Sequence, residues 1–157
     1  MSDPSIVHGD FVIERRYPVP PERVFRALSD PALKRRWFAD GGAHELDAFE
    51  MDFRVGGREI TRSRLGPDTP FPGVALENDA SFLDIVPGQR VVMASTMSIG
   101  GRRMSAHLVS FEVLATATGA ELIFTHHGAF FENADGPERR EHGWRVLFAR
   151  LDAELAA

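Results

Sequence analysis

The sequence predicts an α+β domain in which an antiparallel β-sheet is crossed by one long C-terminal helix. Three observations predict it. Apolar residues recur at the helical period near the C-terminus, in Trp144, Leu147, Phe148, Leu151 and Leu155. Between His44 and Phe131, six β-like segments are joined by Gly- and Pro-rich connections too short for anything but antiparallel neighbours. Ahead of them, prolines cut out one strand and two short helices. The predicted order is strand, helix, helix, six strands, helix, in one domain over residues 1–157.

Residues 1–10 are expected to form a mobile N-terminal segment. Phe11-Val-Ile-Glu-Arg-Arg-Tyr17 reads as the first strand, stopped by Pro18 and by Pro20-Pro21. Glu22 to Leu28 places Val24, Phe25 and Leu28 on one side of a helix. That helix ends at Ser29-Asp30-Pro31, because a residue before proline avoids helical geometry. Asp30 caps a second helix with Pro31 in its first turn, and Leu33 and Trp37 form its i, i+4 apolar pair before Asp40-Gly41-Gly42.

The turns mark the six strands. His44–Val55 and Arg58–Leu65 flank Gly56-Gly57, which supplies the positive φ of a two-residue hairpin. The loop Gly66–Gly73 is too rich in Pro and Gly for regular structure and carries Phe71 at its middle. Val74–Val86, Arg90–Ile99, Arg102–Ala115 and Glu121–Phe131 follow, separated by Pro87-Gly88, Gly100-Gly101 and Thr118-Gly119. The last helix starts at Asp135 or Gly136 with Pro137 in its first turn. Its charged face carries Glu138, Arg139, Glu141, Arg145 and Asp152. Gly143 is discordant: inside a helix it costs about 1 kcal/mol relative to Ala, so a close approach to the backbone is expected there.

Composition limits the functions to consider. With 43% hydrophobic and 26% charged residues the chain is an ordinary globular one, and no apolar run reaches the ~20 residues of a membrane span. The net charge of −5 and the scattered basic residues exclude a nucleic-acid face. Cysteine is absent, so disulfides, thiol nucleophiles and Cys-built zinc sites are excluded. The opening Met-Ser-Asp-Pro-Ser lacks the parts of a secretory signal, and the cytoplasm is the expected location. No metal is expected: His126 and His127 are adjacent on a strand and point to opposite faces, and no zincin or EF-hand spacing occurs. Arg54-Val-Gly-Gly-Arg58 and Ile99-Gly-Gly-Arg-Arg103 lack the following helix that a phosphate-cradling loop needs. No cofactor is expected either.

Five segments in this order carry a resemblance. Tyr17-Pro-Val-Pro-Pro-Glu-Arg-Val-Phe-Arg-Ala-Leu28, Asp30-Pro31 with Trp37-Phe38, Asp52-Phe-Arg-Val-Gly-Gly-Arg58, Asp84-Ile-Val-Pro-Gly-Gln-Arg90 and Glu141-His-Gly-Trp144 are similar to segments of the activator of Hsp90 ATPase homologue 1-like group, within the START-like or Bet v 1-like (SRPBCC) superfamily. The resemblance spans Phe11 to Leu155 and implies a helix-grip fold: a curved antiparallel sheet gripping the C-terminal helix, with an elongated cavity between them. It also implies a homodimer. Where bacterial-type relatives often carry Thr-Glu-Gln-Gly, this chain has Thr125-His126-His127-Gly128, which replaces an acid by imidazoles.

Strand alternation then names the cavity wall. The inward set comprises Met93 and Met97, His107 and Phe111, and Phe124, His126 and Phe130 on three successive strands. Trp37, Phe38, Phe53, Phe82, Trp144 and Phe148 complete it. Such a wall, mostly apolar with a few polar groups, suits a small hydrophobic or aromatic molecule. The expected function is non-catalytic binding of that molecule. The alternatives are a cyclase or hydratase using His126 or His107 as general base, and a protein-interaction module of the chaperone co-factor kind.

Overall fold

The computed structural model describes residues 4–157. Its strands are β1 (Val7–Tyr17), β2 (His44–Met51), β3 (Arg58–Leu65), β4 (Ala75–Val86), β5 (Arg90–Ile99), β6 (Arg102–Thr116) and β7 (Gly119–Phe130). The helices are α1 (Pro21–Ser29), α2 (Pro31–Lys34) and α3 (Pro137–Ala156), and a π-helical turn, Arg35–Ala39, continues α2. All strands form one antiparallel sheet in the order β1-β7-β6-β5-β4-β3-β2. It is a meander from β2 to β7, as the short connections predict, with the first strand laid beside the last. Among the described residues no helix is long and apolar enough to cross a membrane.

The connections explain the register. Gly100 and Gly101 both have positive φ, the requirement of the two-residue hairpin expected between β5 and β6. The Gly56-Gly57 hairpin takes a different form. β2 ends at Met51, and Asp52–Gly57 folds on itself, with the Asp52 N–H donating to the Arg58 carbonyl (2.8 Å) and the Gly57 N–H to that of Arg54 (2.8 Å). The Gly56 N–H reaches across to the Phe82 carbonyl of β4 (2.9 Å), a tertiary bond that a local turn rule does not contain. At the other edge, β1 begins at Val7 rather than Phe11. His8, Gly9 and Asp10 are poor strand formers, yet β7 pairs with all of them, so residues 7–10 belong to the sheet and not to a mobile segment. Met1, Ser2 and Asp3 lie outside the described residues.

Bulges between Leu46 and Ala48, Phe82 and Asp84, and Met97 and Ser98 add local twist. Inside the sheet, α3 buries Trp144, Phe148, Leu151 and Leu155, four of the five residues of the stripe read from its periodicity, while Leu147 is half-buried. Trp144 and Phe148 lie 4.3 and 5.2 Å from the Phe124 ring of β7, and Phe148 stacks on Trp37 at 5.9 Å. The Trp37 indole N–H donates to the Ala27 carbonyl of α1 (2.9 Å), so one side chain ties α1, the π turn and α3 together. Tyr17 at the end of β1 donates to the Asp152 carboxylate at 2.8 Å.

The α2 face differs from the expected Leu33–Trp37 pair. Asp30 caps the helix as predicted, its carboxylate accepting from the Ala32 and Leu33 N–H groups. Leu33 is only half-buried, however, and Lys34, at i, i+3 from Trp37, turns inward instead. The Lys34 ammonium sits 3.0 Å from the Glu59 carboxylate and 4.9 Å from the Phe38 ring, with both partners of the pair under 5% exposed. A buried pair costs desolvation that its attraction only partly offsets, whereas breaking it strands a charge. Glu59→Leu is therefore expected to cost about 3–5 kcal/mol, and Lys34→Met added to it to restore most of that loss, as measured by urea denaturation.

Candidate functional site

The helix does not fill the whole concave face of the sheet. Trp144, Phe148 and Leu151 close on β7 and β1, while toward β3 and β4 a hollow of about 390 Å³ remains. α3 forms one wall with Arg139, Gly143, Leu147 and Arg150, spaced i, i+4, i+8 and i+11 along one face. The π turn and the loop after it contribute Phe38, Ala39 and residues 41–44. The floor is the inward face of four strands: Thr61 and Ser63 on β3, Leu76 and Asn78 on β4, Met97 on β5 and His107 on β6. Asp135 and Arg140 close the end nearest the start of α3.

Of the thirteen residues expected to line the cavity, Phe38, Met97, His107 and Trp144 do so. The alternation that selected them is correct, but facing inward is not the same as facing a void. Trp37, Phe82, Met93, Phe111, Phe124, Phe130 and Phe148 are packed into solid core, and Phe53 lies half-buried against it with its ring 5.1 Å from that of Phe82. The close approach expected at Gly143 is likewise absent. A Cβ built there meets nothing within 4 Å, because the residue opens onto the hollow.

His126, fully buried, stands just behind the hollow. Its ring lies between Phe11, stacked at 4.6 Å and 11°, and His107, stacked at 4.8 Å and 19°. Gly128 makes the arrangement possible, since a Cβ there would collide with the Phe130 and His126 rings. Burial pushes His107 down to about 3, helped by the neighbouring His126 and by Arg140. Burial likewise pushes His126 down to about 4, with Arg140 second. Both imidazoles are neutral at pH 7. His107 Nδ1 and both ring nitrogens of His126 at one side of the floor, and Thr61 Oγ1 at the other, are sealed from solvent without a hydrogen-bond partner.

Arg140 forms the second polar cluster. It is buried on the inner face of α3, gripped by Asp135 through two bonds of 2.8 Å, bonded to Ser105 Oγ at 2.9 Å and stacked 5.0 Å from the Phe130 ring. Sequence reading missed Arg140, Asp135, Thr61, Ser63 and Asn78. A signal for Arg140 existed, since it stands four residues before Trp144, on the apolar stripe. The β3 and β4 residues follow from the same alternation applied to two further strands. His126 and His127 do face opposite sides, with His127 exposed 3.7 Å from Asp10, and no group of three metal-ligating side chains occurs among the described residues.

A curved antiparallel meander gripping a C-terminal helix over a partly open concave face is the helix-grip fold of the START-like, Bet v 1-like superfamily. Within that superfamily the chain belongs to the activator of Hsp90 ATPase homolog 1-like protein family, whose model matches residues 18–156. It is similar to a Rhizobium loti protein at 43% identity, covering 96% of this chain and 99% of that one with a TM-score of 0.84. An uncharacterized Rhizobium leguminosarum protein matches at 34% identity, 97% of both chains and a TM-score of 0.87. The AHSA1 protein of Silicibacter pomeroyi matches at 26% identity, 94% of this chain and 98% of that one, with a TM-score of 0.72. No functionally curated protein matches the chain.

The histidine pair makes stability depend on pH. Each folded-state pKa lies below the unfolded value of 6.5, so the unfolded chain takes up protons first and stability falls as pH drops from 6.5 toward 4. At pH 5 His126 alone accounts for about 2 kcal/mol of that loss. His126→Phe, which keeps the stack on Phe11 and removes two orphaned nitrogens, is expected to cut the loss between pH 7 and pH 5 roughly in half. Urea denaturation of both proteins at the two pH values measures it; an unchanged pH slope contradicts the assignment.

Proposed function

We propose that this protein binds a small apolar or aromatic molecule in the hollow between α3 and the floor made by β3, β4, β5 and β6. Gly143 carries the reading. A glycine in the middle of a twenty-residue helix gives up about 1 kcal/mol against alanine. Its φ is not positive and no chain atom crowds the position, so neither backbone geometry nor packing explains it. Gly143 is exposed at the mouth of the hollow, and a side chain there would project into that open space. Phe38, Met97, Leu76 and Trp144 offer that space an apolar surface, and Thr61, Ser63, Asn78 and His107 offer it a few polar side chains, the mixture typical of small-molecule sites.

Binding is favoured over a cyclase or hydratase by the state of the imidazoles. Bases pushed down to about 3 and about 4 take up protons poorly near neutral pH. Asp135, the acid at that end, is engaged by Arg140. A homodimer acting in the cytoplasm completes the proposal, on the family likeness and the absence of cysteine.

Two outcomes follow. A thermal-shift and native mass-spectrometry screen of aromatic and lipid-like compounds is expected to yield at least one that binds one-to-one and raises Tm by several degrees; a screen in which none does so contradicts the reading. Without ligand, Gly143→Ala is expected to stabilise the protein by about 1 kcal/mol in urea denaturation. A destabilised variant would show that the glycine answers to packing after all.

A further inference from the structure

The hollow has a sign. The chain as a whole is acidic, at −5, yet the charged residues lining the hollow are Arg139, Arg140 and Arg150 against the single carboxylate of Asp135. Asp135 is spent on Arg140 through two short bonds, which leaves two guanidinium groups without an acid in the wall. Arg150 donates through one nitrogen to the Arg36 carbonyl, a neutral partner. Arg139 makes no ion pair among the described residues, a state it shares with the exposed Arg26, Arg102 and Arg103, but unlike them it borders the hollow.

Both guanidiniums belong to the α3 face that carries Gly143. Arg139 and Arg150 are eleven residues apart, about 16 Å along the helix, with Gly143 and Leu147 between them. The hollow is thus a trough with an apolar middle and a cationic group at each end. Between the ends lie Phe38, Trp144 and Met97, and the side chains of the opposite floor are neutral hydrogen-bonding groups, Thr61, Ser63 and Asn78. Guanidinium recognises carboxylate and sulfonate oxygens through forked, charge-assisted hydrogen bonds, and does so more strongly in a partly desolvated trough than in open water.

Resting on the binding function proposed above, we infer that the ligand is an amphipathic organic anion. Its apolar body lies along Phe38, Trp144 and Met97, and its acid group sits on Arg139 or Arg150. An uncharged molecule of the same shape fills the same space but leaves both guanidiniums unused. The positive ends also give an anion a higher encounter rate with a protein whose net charge would otherwise repel it.

A matched pair of fluorescent probes separates the two levels of the proposal: 8-anilinonaphthalene-1-sulfonate and its uncharged parent, N-phenyl-1-naphthylamine, titrated into the folded full chain. The sulfonate is expected to bind about tenfold more tightly. That preference should shrink in 0.5 M NaCl and disappear in the Arg139→Gln/Arg150→Gln double variant, read as the ratio of the two probes' affinities within that variant. Gly143→Met, which fills the trough from the helix side, should lose both probes while melting no lower than wild type. Equal affinities for the two probes, or a preference that survives the double substitution, overturn the anion assignment and leave the binding function standing. Binding of neither probe, or undiminished binding of both to Gly143→Met, overturns the site itself and the anion assignment with it.

Discussion

One packing constraint organises the molecule: a single helix cannot cover the whole concave face of a strongly curved seven-stranded sheet. Trp144 and Phe148 settle on Phe124, and Trp37 seals Phe148 from the far side. Once those four rings are in place, α3 is pinned over β7 and β1 and cannot also rest on β3 and β4. The Tyr17–Asp152 hydrogen bond holds its C-terminal half to the same edge. The solid core and the hollow are consequences of one placement.

The two halves differ in chemistry as well as density. Under the pinned half lie aromatic rings and aliphatic chains that exclude water completely. Under the open half the floor alternates Thr61, Ser63 and Asn78 with outward-facing residues, and it meets the two polar clusters of the interior, the histidine stack and the Arg140–Asp135–Ser105 group. Orphaned polar atoms such as Thr61 Oγ1 and His107 Nδ1 weaken a core that has no use for them. Their position beside the hollow, together with Gly143, argues that stability is given up at this end of the domain for the sake of what enters it.

Much of this was legible in the sequence, because it is written in local patterns. Glycine pairs such as Gly100-Gly101 set hairpins, Asp30 capped its helix, and the 3.6-residue period marked Trp144 to Leu155. What was not legible depends on contacts between distant segments. Whether Met93 or Met97 faces a void is settled by how far α3 reaches, which alternation along β5 does not record. The Gly56-Gly57 turn was reshaped by the Phe82 carbonyl of another strand, and Lys34 entered the core through a partner, Glu59, twenty-five residues away. Gly143 was noticed for its helix cost, but its meaning reversed: it marks an empty space and not a crowded one.

The five methionines provide a direct test of where the space lies, since Met97 lines the hollow while Met93, four residues earlier on the same strand face, is sealed in solid core. In a protein labelled with carbon-13 at the methionine methyls, titration with N-phenyl-1-naphthylamine should shift the Met97 resonance through the ring current of the bound probe and leave Met93 in place. A shift of Met93 with Met97 unmoved would put the ligand under the pinned half of α3 and contradict the account.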